Sequence, residues 1–342
     1  MIILFCACLV AIFFLVGAKD KSFGRDFIIN LPAGLATGDL YNYAEVADFN
    51  QLIAKIYYQN NNSLADSQIL LFGDSFFRVN FESQPLPIVL EKVLGMKTFF
   101  PAGNVGVLNY LQDNNYQNKE AKIAVVEVVE RNINSFDPAD VPDSVSQGVS
   151  GGPVFHSQLT NFVFGQADTE YFIKNNYFIK PLRLWFKQLA YKYFGDINSS
   201  LIGLYSRRPP MLFYADDINF NSDANNVSSK HVYRLAEQIA KLKQELQEKY
   251  GLQMIFVVVP NKYSIYHDDV NGDPGYNNFI PLLQDELKKQ KVDYVDLYGE
   301  FNAIHEKDSQ YLLYYPSDTH YTTAGKMILV NDLAKKIKDY LK

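Results

Sequence analysis

The sequence is almost without thiols, and that lack excludes a good deal. Its only cysteines are Cys6 and Cys8, so the rest of the chain can build neither a disulfide framework nor a cysteine-based zinc site. A thiol-free body tolerates an oxidising compartment. His156, His231, His267 and His305 have no His or Cys at ligand spacing, and no His-Glu-x-x-His occurs, so metal dependence is not expected. Gly-x-Gly-x-x-Gly and a Walker-type lysine loop are missing too, which leaves a nucleotide site without support; no cofactor is expected. Basic charge is sparse: 32 Lys and Arg stand against 38 Asp and Glu, for a net −6, and a nucleic-acid partner is not expected. With 48% hydrophobic and 20% charged residues, the chain is too apolar to be disordered, and its 342 residues suit one large α/β domain with an insertion.

One long uncharged run is present. Residues 1–18, MIILFCACLVAIFFLVGA, would span roughly 25 Å as a helix from Ile2 to Ala18, a little less than a bilayer core. We read residues 1–20 as a membrane anchor or signal segment and residues 21–342 as the globular domain. Lys19, Lys21 and Arg25 follow the run and no basic residue precedes it, a bias that favours a cytoplasmic body, although Asp20 and Asp26 dilute it.

Beyond this segment, apolar runs alternate with helical patterns. Gln68–Phe72, Lys97–Phe100, Ile123–Val129, Met254–Val259 and Val292–Leu297 are short, rich in β-branched or aromatic residues, and bounded by Gly, Pro or charge, as five strands would be. From Ser229 to Tyr250, Val232, Leu235, Ile239, Leu242 and Leu246 recur at helical spacing, and Gly251 supplies the stop; Thr322 to Leu341 repeats the pattern. Strands separated by helices predict a mostly parallel sheet covered on both faces, with ligands at the carboxyl ends of the strands. Residues 136–226 break the rhythm with Pro, Gly and many aromatics, among them Tyr171, Phe172, Tyr177, Phe178, Trp185, Phe186, Tyr191, Tyr193 and Phe194. We read this stretch as a lid-like insertion whose aromatics mostly pack, with two or three facing substrate.

Two motifs carry chemistry. In Leu70–Phe77 a strand runs into Gly73-Asp74-Ser75, which would present the serine hydroxyl above the sheet at a sharp turn. Alone, these residues make ordinary turns and caps. Near the C-terminus, Tyr315-Pro-Ser-Asp-Thr-His-Tyr sets Asp318 and His320 two residues apart, just before the last helix. A serine hydroxyl becomes a nucleophile only when an imidazole takes its proton, and a carboxylate must fix that imidazole's tautomer and stabilise its cation. Ser75, His320 and Asp318 are therefore the candidate catalytic set.

With these motifs the sequence resembles the SGNH, or GDS-type, hydrolase superfamily over roughly residues 66–135 and 250–340. The resemblance implies a three-layer α/β/α fold, with the nucleophile after the first strand and the Asp/His pair in the last loop. It also implies an oxyanion hole formed by the Ser75 backbone, a glycine after the second strand (Gly106, or alternatively Gly103) and an asparagine after the third. Here Arg131 stands where that asparagine is expected and Asn132 follows it; Asp and His are separated by two rather than three. Together with Glu130-Arg131 and Val259–Tyr266, these departures resemble the alginate O-acetylation group of AlgJ, AlgX and their relatives. In that group the Asp-x-His segment precedes the serine motif, so this chain holds the same parts in another order. Arg131 would stabilise an oxyanion or grip a carboxylated sugar, or else pair with Glu127 or Glu130; Lys262 sits on the ligand-binding edge by topology, as a substrate contact or else a solvated lysine.

The expected function is O-acetyl transfer through an acyl-serine onto a cell-surface or secreted polysaccharide. A carbohydrate O-acetylesterase of the same fold and an idle polysaccharide-binding assembly protein are the alternatives. The resemblance further implies a membrane-bound O-acyltransferase as acyl donor, and a catalytic domain outside the cytoplasm, in the periplasm or at the cell surface.

Overall fold

A computed structural model describes residues 35–57, 62–101, 106–117, 120–137, 179–197, 201–204, 210–270 and 275–342. The expected anchor, Gly103 and most of the aromatic-rich insertion lie outside them. Among the described residues, no helix is long and apolar enough to cross a membrane.

The strands are β1 (Leu35–Thr37), β2 (Leu52–Tyr57), β3 (Ile69–Phe72), β4 (Val79–Phe81), β5 (Thr98–Phe99), β6 (Ile123–Val129), β7 (Leu201–Leu204), β8 (Met211–Tyr214), β9 (Gln253–Val259) and β10 (Asp293–Val295). Five of them form the central sheet in the order β10-β9-β6-β3-β5, every pair parallel. Leu71 of β3 stands opposite Val125 of β6, which stands opposite Ile255 of β9. These are the five strands expected from the sequence, shortened at some ends.

Because side chains alternate along a strand, the continuous apolar runs feed two cores. Ile69, Leu71, Val125, Ile255 and Val257 belong to one, covered by the helices Leu86–Leu94, Leu297–Lys307 and Thr323–Tyr340. Leu70, Phe72, Val126, Met254 and Phe256 belong to the other, covered by Val107–Asp113, Ser229–Tyr250 and Phe279–Lys289. The result is a three-layer α/β/α domain. After β3 the chain moves outward to β5 and then returns to the other side of β3 as β6, so the topological switch lies at the end of β3, where Ser75 begins.

Two smaller elements bear on the site. The antiparallel sheet β1-β2-β4 leads through Gly38 into the short helix Asp39–Ala44, which docks on the Asp318 loop; Tyr41 N–H donates to Ser317 O at 3.1 Å. The hairpin β7-β8 leads into the helix Ala215–Ser222. Gly38 is needed for space: a Cβ there would lie 2.1 Å from Ser317 O. Gly38→Ala should therefore push the helix off the loop and destabilise the protein by about 1–3 kcal/mol in denaturant unfolding. An unchanged midpoint would mean that the two segments do not meet.

Candidate active site

Ser75 is delivered by β3 and opens a one-turn helix, Ser75–Arg78. The turn before it is tight on both sides. A Cβ on Gly73 would lie 2.4 Å from Glu127 Oε2, and that same oxygen accepts the Asp74 N–H at 2.9 Å. Asp74 Oδ1 in turn accepts the Phe76 N–H at 2.9 Å. Ser75 is left 7% exposed.

The second component is the loop before the last helix. A bridge between Tyr314 and Tyr321 and a bond from Tyr315 N–H to His320 O at 3.1 Å pinch it closed. Asp318 Oδ1 accepts the His320 N–H at 3.0 Å, an Asx turn that folds the carboxylate back over a residue two positions on. The two-residue spacing therefore brings Asp318 Oδ1 within 2.6 Å of His320 Nδ1, while His320 Nε2 lies 2.8 Å from Ser75 Oγ. Phe76 backs the imidazole, ring centres 4.7 Å apart.

Asp318 is completely buried. Burial pushes its pKa up, but the His320 charge and hydrogen bonds from His320 and Asp39 outweigh this and hold it below the ordinary carboxylate value. Burial likewise disfavours the imidazolium of His320; the charge and hydrogen bond of Asp318, with Asp39 and Asp74 beyond, outweigh it and raise the histidine above its ordinary value.

Asp39 was not foreseen from the sequence. Its N–H donates to Asp318 Oδ2 at 2.8 Å, and its carboxylate accepts the Thr319 N–H at 2.8 Å and the Thr319 hydroxyl at 2.5 Å. One of its oxygens lies 3.8 Å from His320 Nδ1. It thus fastens the loop and adds a second anion to the imidazole. Gly38-Asp39 has no distinctive spacing, and its partners lie about 280 positions away, so no local signal reveals it.

The structure corrects the expectation for Lys262 as a substrate contact. The side chain is 1% exposed, and its ammonium donates to the carbonyls of Leu212 at 2.8 Å, Tyr315 at 2.6 Å, Pro316 at 2.9 Å and Asp318 at 3.3 Å. It is a clamp beneath the loop. Arg131 is paired with Asp217 at 3.3 Å, on the helix Ala215–Ser222, rather than with Glu127 or Glu130. Burial raises Asp217 to about 6 against the pull of Arg131. Glu130 instead accepts from Asn261 N–H at 2.8 Å, Ser264 at 2.5 Å and Tyr276 at 2.7 Å, and burial pushes it to about 7.

A cavity of about 610 Å³ opens over Ser75 and His320, with Asp39, Arg131, Asn132 and Tyr214 in its walls. The Asn132 amide nitrogen is buried with no hydrogen-bond partner among the described residues. Gly106 is buried as the N-cap of the helix Val107–Asp113 and is not among the described residues that line this cavity. The insertion contributes Asp216, Asn219, Phe220 and Asn226 to the cavity from β8 onward. Of the insertion's named aromatics, Tyr171, Phe172, Tyr177 and Phe178 lie outside the described residues, Tyr191 is buried, and Trp185, Phe186, Tyr193 and Phe194 are exposed. Among the described residues, two groups bring three metal-ligand-type side chains together: Asp39, Asp318 and His320, already bonded to one another, and Asp268, Asp269 and His305.

Residues 208–341 match the model of the SGNH hydrolase-like domain of the acetyltransferase AlgX. The matched stretch carries Asp217, Lys262, Asp318 and His320, while Asp39, Ser75 and Arg131 precede it. The match covers about two fifths of the chain, and over it the chain is similar to an SGNH hydrolase-like domain, in keeping with the all-parallel five-stranded sheet. No curated protein and no solved structure gave a match.

Two outcomes follow for this site. Lys262→Met should lower stability by about 3 kcal/mol in denaturant unfolding, because it removes the donor to four buried carbonyls; a stability unchanged from wild type would restore the lysine to a surface role. In an NMR titration, His320 should take its proton above the ordinary 6.5, and Asp39→Asn, which removes an anion favouring the imidazolium, should lower that value. A shift upward would contradict this electrostatic reading.

Proposed function

We propose that this protein is a serine-dependent O-acetyltransferase that acts on polysaccharide. The observation that carries the reading is the hydrogen-bonded row Ser75–His320–Asp318 at the floor of an open cavity. Ser75 Oγ attacks the acyl carbonyl of the donor as its proton passes to His320 Nε2, and Asp318 stabilises the imidazolium. The tetrahedral intermediate collapses to an acyl-serine, and the donor's leaving group departs with the proton from Nε2. An acceptor hydroxyl then attacks the acyl carbon, gives its proton to His320, and Ser75 leaves as the hydroxyl. Arg131 and the Asn132 amide, both on the cavity wall, serve the negative charge that develops on the carbonyl oxygen.

The AlgX match supports transfer over hydrolysis. The lining supports a carbohydrate ligand in either reaction: Asn132, Asn219, Asn226 and Asp216 offer hydrogen bonds, and Tyr43, Tyr214 and Phe220 offer ring faces, a mixture suited to a hydroxyl-rich sugar. A membrane-bound O-acyltransferase would supply the acetyl group. The domain would work outside the cytoplasm, in the periplasm or at the cell surface, held by the N-terminal segment.

Ser75→Ala and His320→Ala should each reduce turnover of a chromogenic acetyl ester at least ~10³-fold with the fold intact by circular dichroism. Near-normal turnover in Ser75→Ala would remove the nucleophile assignment and favour an assembly protein. Given an activated acetyl donor and an oligosaccharide acceptor, the wild type should add one acetyl mass to the acceptor. Rapid deacetylation of an acetylated oligosaccharide, with no mass gain on any acceptor, would make it an esterase.

A further inference from the structure

Strand β6 carries a single acid in an otherwise apolar run. Ile123, Val125 and Val129 share one face by strand alternation and belong to the core that Thr323–Tyr340 covers, and Glu127 stands in the same row with no exposed surface. A carboxylate so placed needs donors or a cation to hold its charge. It has few. Oε2 accepts the Asp74 N–H at 2.9 Å, but Oε1 is buried with no hydrogen-bond partner among the described residues. Arg131 attracts the group only from a distance, since its guanidinium is bonded to Asp217, and the Tyr321 hydroxyl donates to Phe76 O at 2.6 Å.

The partnerless oxygen and its neighbour explain each other. Asp74 is itself 3% exposed, and its carboxyl group lies in hydrogen-bonding contact with that of Glu127. Two buried carboxyl groups in contact hold together when one of them keeps its proton. Geometry says which. Asp74 Oδ1 accepts the Phe76 N–H at 2.9 Å, and the Asp74 charge favours the imidazolium of His320, so the anion belongs on Asp74. An oxygen that no donor reaches is where the proton sits, because as a hydroxyl it becomes the donor. The groups that act on Glu127 are Asp74 from the nucleophile turn, Arg131 from the segment after β6 and Tyr321 from the last loop; burial and the Asp74 charge push it well above the ordinary glutamate value. We propose that Glu127 is a positioning residue for the nucleophile turn, held as a neutral carboxylic acid whose Oε2 accepts the Asp74 N–H and whose Oε1 hydroxyl donates to the Asp74 carboxylate.

Both bonds fall on the residue directly before Ser75, while Glu127 itself does not line the cavity. Gly73 presses on the same side chain, so the turn is gripped at two successive residues. Loss of the proton would set a second anion against Asp74 at the base of the serine. The kinetic consequence rests on Ser75 as the nucleophile; the state of the acid does not.

The infrared spectrum of wild type minus that of Glu127→Gln, taken at neutral pH, should show the carbonyl band of a protonated carboxylic acid. The same band should remain when both proteins also carry Ser75→Ala. In ester turnover Glu127→Leu should lower kcat about 10²-fold at an unchanged KM, because the serine shifts while the cavity wall stays. Glutamine can accept the Asp74 N–H and donate to its carboxylate, so Glu127→Gln should recover at least ~10-fold of that loss. Should Glu127→Leu fail to fold, the infrared band and the Glu127→Gln rate still decide. Three results would overturn the proposal: carboxylate bands in place of the acid carbonyl, a Glu127→Gln rate about 10²-fold below wild type, or a wild-type kcat in Glu127→Leu. Wild-type turnover in Ser75→Ala would remove the nucleophile and leave the infrared band standing, so the two failures are told apart.

Discussion

The whole site hangs on one buried carboxylate. Asp318 has no exposed surface, and an anion taken out of water is tolerated only when every side of it is answered by a donor. The donors to the carboxylate come from two directions in the chain, His320 through its ring and its backbone N–H and Asp39 through its backbone N–H, while Lys262 donates to the backbone carbonyl of the same residue. Meeting the demands of that group fixes the last loop, the N-terminal helix Asp39–Ala44 and the turn after β9 in one arrangement. The alignment of His320 on Ser75 is a by-product of the same bonds.

Strand β6 does for the sheet what Asp318 does for the loop. At its end Glu127 turns to the β3 side and holds the Asp74 N–H, while Glu130 turns to the β9 side and holds Asn261, Ser264 and Tyr276. Two buried acids thus tie the turns that follow the neighbouring strands to the central one, and directly after Glu130 the chain presents Arg131 and Asn132 to the cavity. Burial raises the pKa of both acids, Glu130 to about 7, so each prefers the protonated form more than an exposed glutamate would. These groups hold the site's walls without lining it.

The central sheet was legible because its strands are continuous apolar runs, and buried parallel strands need such runs: Ile123–Val129 and the helix Ser229–Tyr250 read directly from spacing. Ser75, Asp318 and His320 were legible because their chemistry needs particular side chains beside a strand end and a last loop. Lys262 was misread for a reason of the same kind. Topology places its Cα at the ligand edge, but a long side chain can reach down as easily as up, and four carbonyls lay below. Asp39 and the β1-β2-β4 sheet escaped because their role exists only through contacts across most of the chain. Nothing in Thr37-Gly38-Asp39 differs from an ordinary turn.

The reach of these contacts sets when the protein can first act. Ser75 is synthesised early and His320 near the end, 245 positions later, and the loop that carries His320 is capped by the final helix through Thr322. A growing chain therefore exposes its serine long before the imidazole that hydrogen-bonds it has been made. Until the loop ahead of Thr323–Tyr340 has folded against the sheet, Ser75 Oγ lacks its contact with His320 Nε2. The order of the motifs makes the pairing of serine and imidazole a late event, one that waits on contacts across most of the chain.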